Sequence, residues 1–231
     1  MLIALSAAVA VGPSFVLGEP TSPEDASKSK VIQYVGLGAH TRSVATSSPE
    51  AQKYFDQGLA FMYAYNHDEA IRAFQRAAEL DPHCAMAHWG ASLSMGKNYN
   101  YPLFPPEKVK AAWKSLVLAQ ATSKNESEAN RALIEALAAR YADPLPKDTR
   151  PLEEAYAKAM KAASEKFRKD ADIGALYAES LMNLRPWDLW TVDGKPQPKT
   201  PEILKALETV LEFAPSHPLR RRLPPLVSRE F

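Results

Sequence analysis

The stretch Tyr54–Pro82, YFDQGLAFMYAYNHDEAIRAFQRAAELDP, decides the fold. It reads as two helical runs hinged at Asn66, with aromatic and small residues set at helical intervals. Two antiparallel helices approach closely only where one of them presents a small side chain. Gly58 and Ala70 are the small partners, and Tyr54, Phe61 and Phe74 fill the grooves beside them. Asn66 is a helix cap, and Glu69 three residues on completes a capping-box pattern. Pro82 has no N–H to give, so the second helix stops before it.

This spacing resembles one tetratricopeptide repeat (TPR). Tyr54 stands at the position of the template Trp, Gly58 four residues on, and Phe61 at the template Tyr. Ala70 and Phe74 supply the A-x3-F step, Ala77 adds another small residue, and Pro82 closes the unit. Gln57 departs from the pattern, which usually has Leu there. The resemblance implies an all-α fold, a tetratricopeptide-type α-solenoid of antiparallel helix pairs.

Outward from this unit the chain keeps the same grammar. Ser48-Pro49-Glu50 opens a helix with a cap, a proline at the first helical position and an acidic group at the positive end of the dipole. A third helix is expected from about Cys84 to Lys97, carrying His88-Trp89-Gly90-Ala91. Asn98–Pro106 is an aromatic insertion expected to fold back and pack. Further helices are predicted over Glu107–Ala121, Glu126–Tyr141 (capped by Asn125 with Glu128), Pro151–Arg168, from the cap Asp170 to Leu184, and Thr200–Phe213. The expected apolar faces are Val109, Ala112, Trp113, Leu116 and Ala119; then Leu152, Ala155, Tyr156, Ala159, Ala163 and Phe167; then Ile173, Leu176, Tyr177 and Leu181. A second insertion, Pro186–Lys199, holds Trp187, Trp190 and an Asp193-Gly194 turn. The sum is about eight helices over residues 48–218, in four pairs. Nineteen prolines, mostly between these runs, act as stops.

The ends differ. Residues 1–18 are apolar and read as the core of a secretory signal peptide, with Val16-Leu17-Gly18 as a cleavage site. No Lys or Arg precedes Lys28, so either the start lies upstream or the segment is a frayed helix or a fragment boundary; export to the periplasm or outside the cell is the favoured expectation. Residues 19–47 form a polar linker and then an extended arm, expected to lie on the first helices. Residues 219–231, with Arg220-Arg221-Arg222 and Pro224-Pro225, show no helical period and are expected to be disordered.

The run from His40 to Pro218 also resembles a group of bacterial, often exported, TPR-containing proteins of unassigned function. The resemblance is carried by Ser48-Pro49-Glu50-Ala51-Gln52, by Asp81-Pro82-His83-Cys84-Ala85-Met86-Ala87-His88-Trp89-Gly90, by Arg185-Pro186-Trp187-Asp188-Leu189-Trp190 and by Pro215-Ser216-His217-Pro218. Members of that group continue with further helix pairs, so the similarity implies a truncation or a shifted reading frame after Pro218.

Function is read from the inner helix of each pair. Gln52, Phe55, Leu59, Met62 and Tyr63, with Met86, Trp89 and Leu93, are expected to line an apolar concave groove. Such a groove suits a protein or peptide partner with hydrophobic anchors, unless the arm covers it as core. A net charge of +1 favours neither nucleic acid nor an anionic membrane, and no membrane association is expected once a signal is removed. A second reading is extracytoplasmic copper binding. Cys84 and His88 are four apart on one helix face, close in sequence to Met86, although Met86 points about 200° away from Cys84. Enzyme chemistry is not expected: HExxH, GxSxG, CxxC and GxxxxGK are all absent. A site in lost C-terminal repeats is the remaining alternative. No catalytic residue and no cofactor is assigned. His67 and Asp68 read as turn residues, Glu126, Glu128, Glu135, Lys158, Lys161 and Lys169 as solvated faces, His217 as a helix-end residue, and His40 as an unassigned loop residue.

Overall fold

The computed structural model describes residues 31–103 and 105–218. The signal-like segment, the first part of the linker and the Arg/Pro tail lie outside the described residues.

Eight α-helices are present among the described residues: α1 (Pro49–Tyr63), α2 (His67–Leu80), α3 (Ala85–Met95), α4 (Pro106–Thr122), α5 (Glu128–Ala138), α6 (Arg150–Lys166), α7 (Ala171–Asn183) and α8 (Thr200–Phe213). Each helix packs chiefly against its neighbour in sequence, and the fold is all-α. No helix there is long and apolar enough to cross a membrane.

The caps follow from the sequence. The Ser48 hydroxyl accepts from Ala51 N–H at 3.1 Å, and Asn66 Oδ1 accepts from Glu69 N–H at 3.4 Å. The reciprocal half of the expected capping box is not made. Asn66 N–H goes to the Phe61 carbonyl, and the Glu69 carboxylate pairs with Arg72. Tyr65, at φ 61°, supplies the left-handed residue that reverses the chain between α1 and α2.

The pairing of small with large side chains is literal. Phe74 of α2 is fully buried between two glycines. A Cβ at Gly58 on α1 would stand 2.7 Å from its ring, and one at Gly90 on α3 would stand 2.5 Å from it. The same device recurs at α7 and α8, where a Cβ at Gly174 would meet Val210 at 2.5 Å. Helix α3 is the centre of this half of the core, and all its residues except His88 are buried. Trp89 donates its indole N–H to the Leu133 carbonyl, tying α3 to α5.

Three expectations change. Helix α5 begins two residues late, capped by Ser127, because a 3₁₀ turn occupies Ser123–Asn125. Helix α6 buries Tyr156, Ala157, Met160 and Ala163, whereas Ala155 is exposed. The face is rotated because Glu153 also turns inward, 3.0 Å from the buried Arg140 guanidinium. The insertions pack only in part. Leu189 is buried and Tyr99 half-buried, but Tyr101, Leu103, Trp187 and Val192 are exposed.

The arm supplies the frame of the site. Residues 33–47 run without regular structure across α1: Tyr34 N–H donates to Gln57, Val44 N–H to Gln52, Arg42 N–H to Asp56, and the Gln52 amide returns a bond to the Arg42 carbonyl.

Candidate functional site

The eight residues expected to line an open groove are mostly interior. Phe55, Leu59 and Met86 are fully buried, Met62, Tyr63, Trp89 and Leu93 are buried, and Gln52 is half-buried against the arm. An apolar surface of that size leaves water when chain is at hand to cover it. The face is closed by the protein itself.

Cys84 and His88 sit in unlike surroundings. The Cys84 thiol is buried, and burial pushes its pKa up to about 11, which disfavours the thiolate a soft metal needs. His88 donates its Nε2–H to the Pro82 carbonyl at 2.9 Å. Met86 is enclosed as core.

A different cluster forms where the arm, α1, α7 and the turn after α8 converge. Asp172 lies in the first turn of α7, where the helix dipole favours its negative charge. Three donors reach the same oxygen, Oδ1: Tyr63 Oη–H at 2.6 Å, His40 Nε2 at 2.9 Å and His217 Nε2 at 3.1 Å. The three rings stand edge to face, with centroids 4.6 Å apart for His40 and His217 and 4.9 Å apart for Tyr63 and His217.

The other oxygen of Asp172, Oδ2, accepts from Arg42 Nη1 at 3.0 Å. Arg42 also bonds Asp170 at 2.9 Å, and its Nε donates to Asn130 Oδ1 at 2.8 Å. The Asn130 amide donates in turn to Glu126 at 2.7 Å and to the Ser43 carbonyl at 3.0 Å. Glu126, read from sequence as solvated, is therefore buried and structural. Asp170 caps α7 through Ile173 N–H. The arm is thus laced to the N-terminal ends of α5 and α7, and every buried charge in the lacing has a partner.

Burial alone would raise the pKa of Asp172. The hydrogen bonds from His217 and His40 and the adjacent Arg42 guanidinium reverse this and hold it well below the usual carboxylate range. Burial likewise works against the Arg42 charge, but Asp170 and Asp172 outweigh it and raise its pKa. Asp172 is a firm anion that accepts hydrogen bonds and resists protonation.

His40, Asp172 and His217 form the single set of three or more His, Cys, Asp or Glu ligand atoms among the described residues that could hold a metal ion, all within 4.8 Å of one another. His217 and Asp172 are buried, whereas His40 is 18% exposed. His40, Tyr63 and His217 face a cleft of about 810 Å³, walled by Gly36–Ala39, by Tyr65 and Met182, and by Tyr99 and Asn100 of the first insertion.

Sequence reasoning placed Tyr63 at an inward position but gave its hydroxyl no role. It left His40 unassigned, treated His217 as a helix end, and passed over Asp172. The one local hint was a second acid, Asp172, directly after the capping Asp170. Compared with known proteins, the chain matches no family model, no curated protein and no solved structure.

Proposed function

We propose that this chain is a TPR-like, extracytoplasmic helical-repeat protein that binds one transition-metal ion at His40, Asp172 and His217. One observation carries the reading. A single carboxylate oxygen is crowded by two imidazole nitrogens and a phenol, all within 3.1 Å. An sp² oxygen has two lone pairs, so three donors are more than it accommodates well. An ion bound between the imidazoles and the carboxylate would relieve that crowding. The spacings of 2.9 and 3.1 Å are close to the roughly 3 Å between neighbouring donors around an ion held at about 2.0–2.1 Å. Two imidazoles and a carboxylate suit zinc, cobalt, nickel, iron or copper(II) rather than copper(I). Helices packed in sequence order support the repeat reading, and the apolar residues 1–18 support export.

Isothermal titration with zinc and cobalt should give one ion per chain. A His40→Gln, His217→Gln variant should lose at least a hundredfold in affinity while keeping its helical circular dichroism. A Cys84→Ala, His88→Ala variant should bind like wild type. Should the glutamine variant fail to fold, cobalt-shifted imidazole NMR signals from the unaltered protein decide instead. Equal uptake by the glutamine variant would remove the proposal.

A second reading, a non-catalytic scaffold for a protein or peptide, is favoured by the way α1 already grips an extended segment, its own arm, through Gln52, Asp56 and Gln57. A photo-crosslinking residue at Asn100, on the cleft rim, should then trap one partner. Capture no greater than from the exposed Lys114 would end this reading.

A further inference from the structure

We infer that an ion held by His40, Asp172 and His217 keeps one coordination position facing the cleft, and that this position takes the carboxylate of a small aromatic acid. The inference rests on the metal reading above and adds a ligand class to it.

The donor count comes first. Structural zinc sites are closed by four protein ligands, whereas sites that bind an exchangeable group keep three. Among the described residues no fourth His, Cys, Asp or Glu joins the set. Asp170 is the nearest acid by sequence, but its Oδ1 is held by Arg42 at 2.9 Å and by Ile173 N–H at 3.0 Å. Tyr63 is spent as a donor to Asp172 Oδ1.

Access comes second. Both histidines and Tyr63 line the cleft, so an ion held by these residues would border it. The volume, about 810 Å³, falls within the range of small-molecule sites. One wall, Gly36–Ala39, is opened by two glycines. Gly36 and Gly38 hold φ values of 82° and 95°, and a Cβ at either would meet nothing within 4 Å. Phe61, Tyr65, Tyr99 and Met182 add aromatic and apolar lining beside the polar Asn100 and Ser216.

Charge and chemistry select the ligand. Asp172 is the lone anionic donor, and Arg42 and Asp170 offset one another beside it. A divalent ion there keeps uncompensated positive charge in a poorly solvated place, which favours an anionic oxygen. The incoming carboxylate gives a lone pair to the ion and displaces a bound water. No electron transfer is involved, and the water leaves into the cleft. The aromatic wall gives a ring on that carboxylate something to stack against.

The test uses the full chain loaded with one equivalent of cobalt(II), titrated with acetate and with benzoate and followed by visible absorption. Benzoate should change the spectrum saturably, at a concentration at least tenfold below that of acetate. Tyr99→Ala should narrow that gap several-fold without altering cobalt affinity. A cobalt-loaded protein whose spectrum ignores both anions overturns the open position and leaves the metal reading intact. Equal response to both anions overturns the aromatic selectivity. Failure to take up cobalt overturns the metal reading itself.

Discussion

The packing around Phe74 and the cluster around Asp172 are held together by opposite means. Phe74 is an apolar ring pressed between Gly58 and Gly90, with no polar group involved. Its partners lie sixteen residues to either side, on the helices just before and after its own. Asp172 is a buried anion held by hydrogen bonds and an ion pair, from residues 45, 109, 130 and 132 positions away. The first arrangement is close helix packing, stable through excluded water and close contact. The second is an assembly of scarce polar groups that helix packing alone does not require. That contrast is the reason to look for function at Asp172 and not in the apolar faces of α1 and α3.

The largest expected effect lies in the apolar region. Phe74→Ala should cost about 3–5 kcal/mol in urea unfolding, through lost transfer energy and the cavity left behind. Gly90→Ala should cost about 1–3 kcal/mol, because its methyl group meets a ring that Gly58 prevents from retreating. Combined with Phe74→Leu, Gly90→Ala should become nearly neutral relative to Phe74→Leu alone. Full additivity would show that the ring is not confined as described.

Metal separates the two regions next. Zinc at a hundred times its dissociation constant should stabilise the native state by about 2.7 kcal/mol. The same increment should appear in Phe74→Ala, since the ion does not touch that core, and should vanish in the His40→Gln, His217→Gln variant. A zinc effect that survives in that variant would place the ion elsewhere.

Tyr63→Phe should cost about 1.5 kcal/mol, the low end for a hydrogen bond to a charged group, because Asp172 keeps its other donors. Binding should remain at one ion per chain, since the phenol is not a ligand. Loss of metal uptake in this variant would make Tyr63 a ligand and close the position assigned to an outside anion.

The smallest effect concerns Glu202, away from both regions. The Tyr177 hydroxyl, then Lys199 and Lys161, hold its pKa down to about 2. A depressed carboxylate stabilises the fold fully above its ordinary value of 4.5 and loses that contribution as pH falls towards about 2. Solvent screening limits the contribution to less than about 1 kcal/mol. Glu202→Gln should flatten the acid limb of the stability curve between those two values. An unchanged limb would show that the surface pairs contribute nothing there.

Much of the fold was legible because its causes are local. Ser48, Asn66 and Asp170 cap the helices they were expected to cap, since a cap reaches only three residues along the chain. Small residues at fixed helical spacing announced close helix contact, and Gly58 and Gly90 make it. Most residues expected to face inward on α1 and α3 are buried. That the arm would bond along α1 was not readable, because the arm shares no pattern with that helix. Most of its bonds to α1 use backbone N–H or carbonyl groups, which any sequence carries.

Over the described residues, the sequence by itself determined an all-helical fold, the number of helices, most of their ends and the small-against-large contacts that seat one on the next. Only the tertiary structure decided that His40, Tyr63 and His217 converge on one oxygen of Asp172. The physical reason is range. A cap or a helix face is set by backbone geometry within a few residues. A convergence of side chains from the arm and three other parts of the chain depends on how every intervening helix packs, and no spacing within the chain records it.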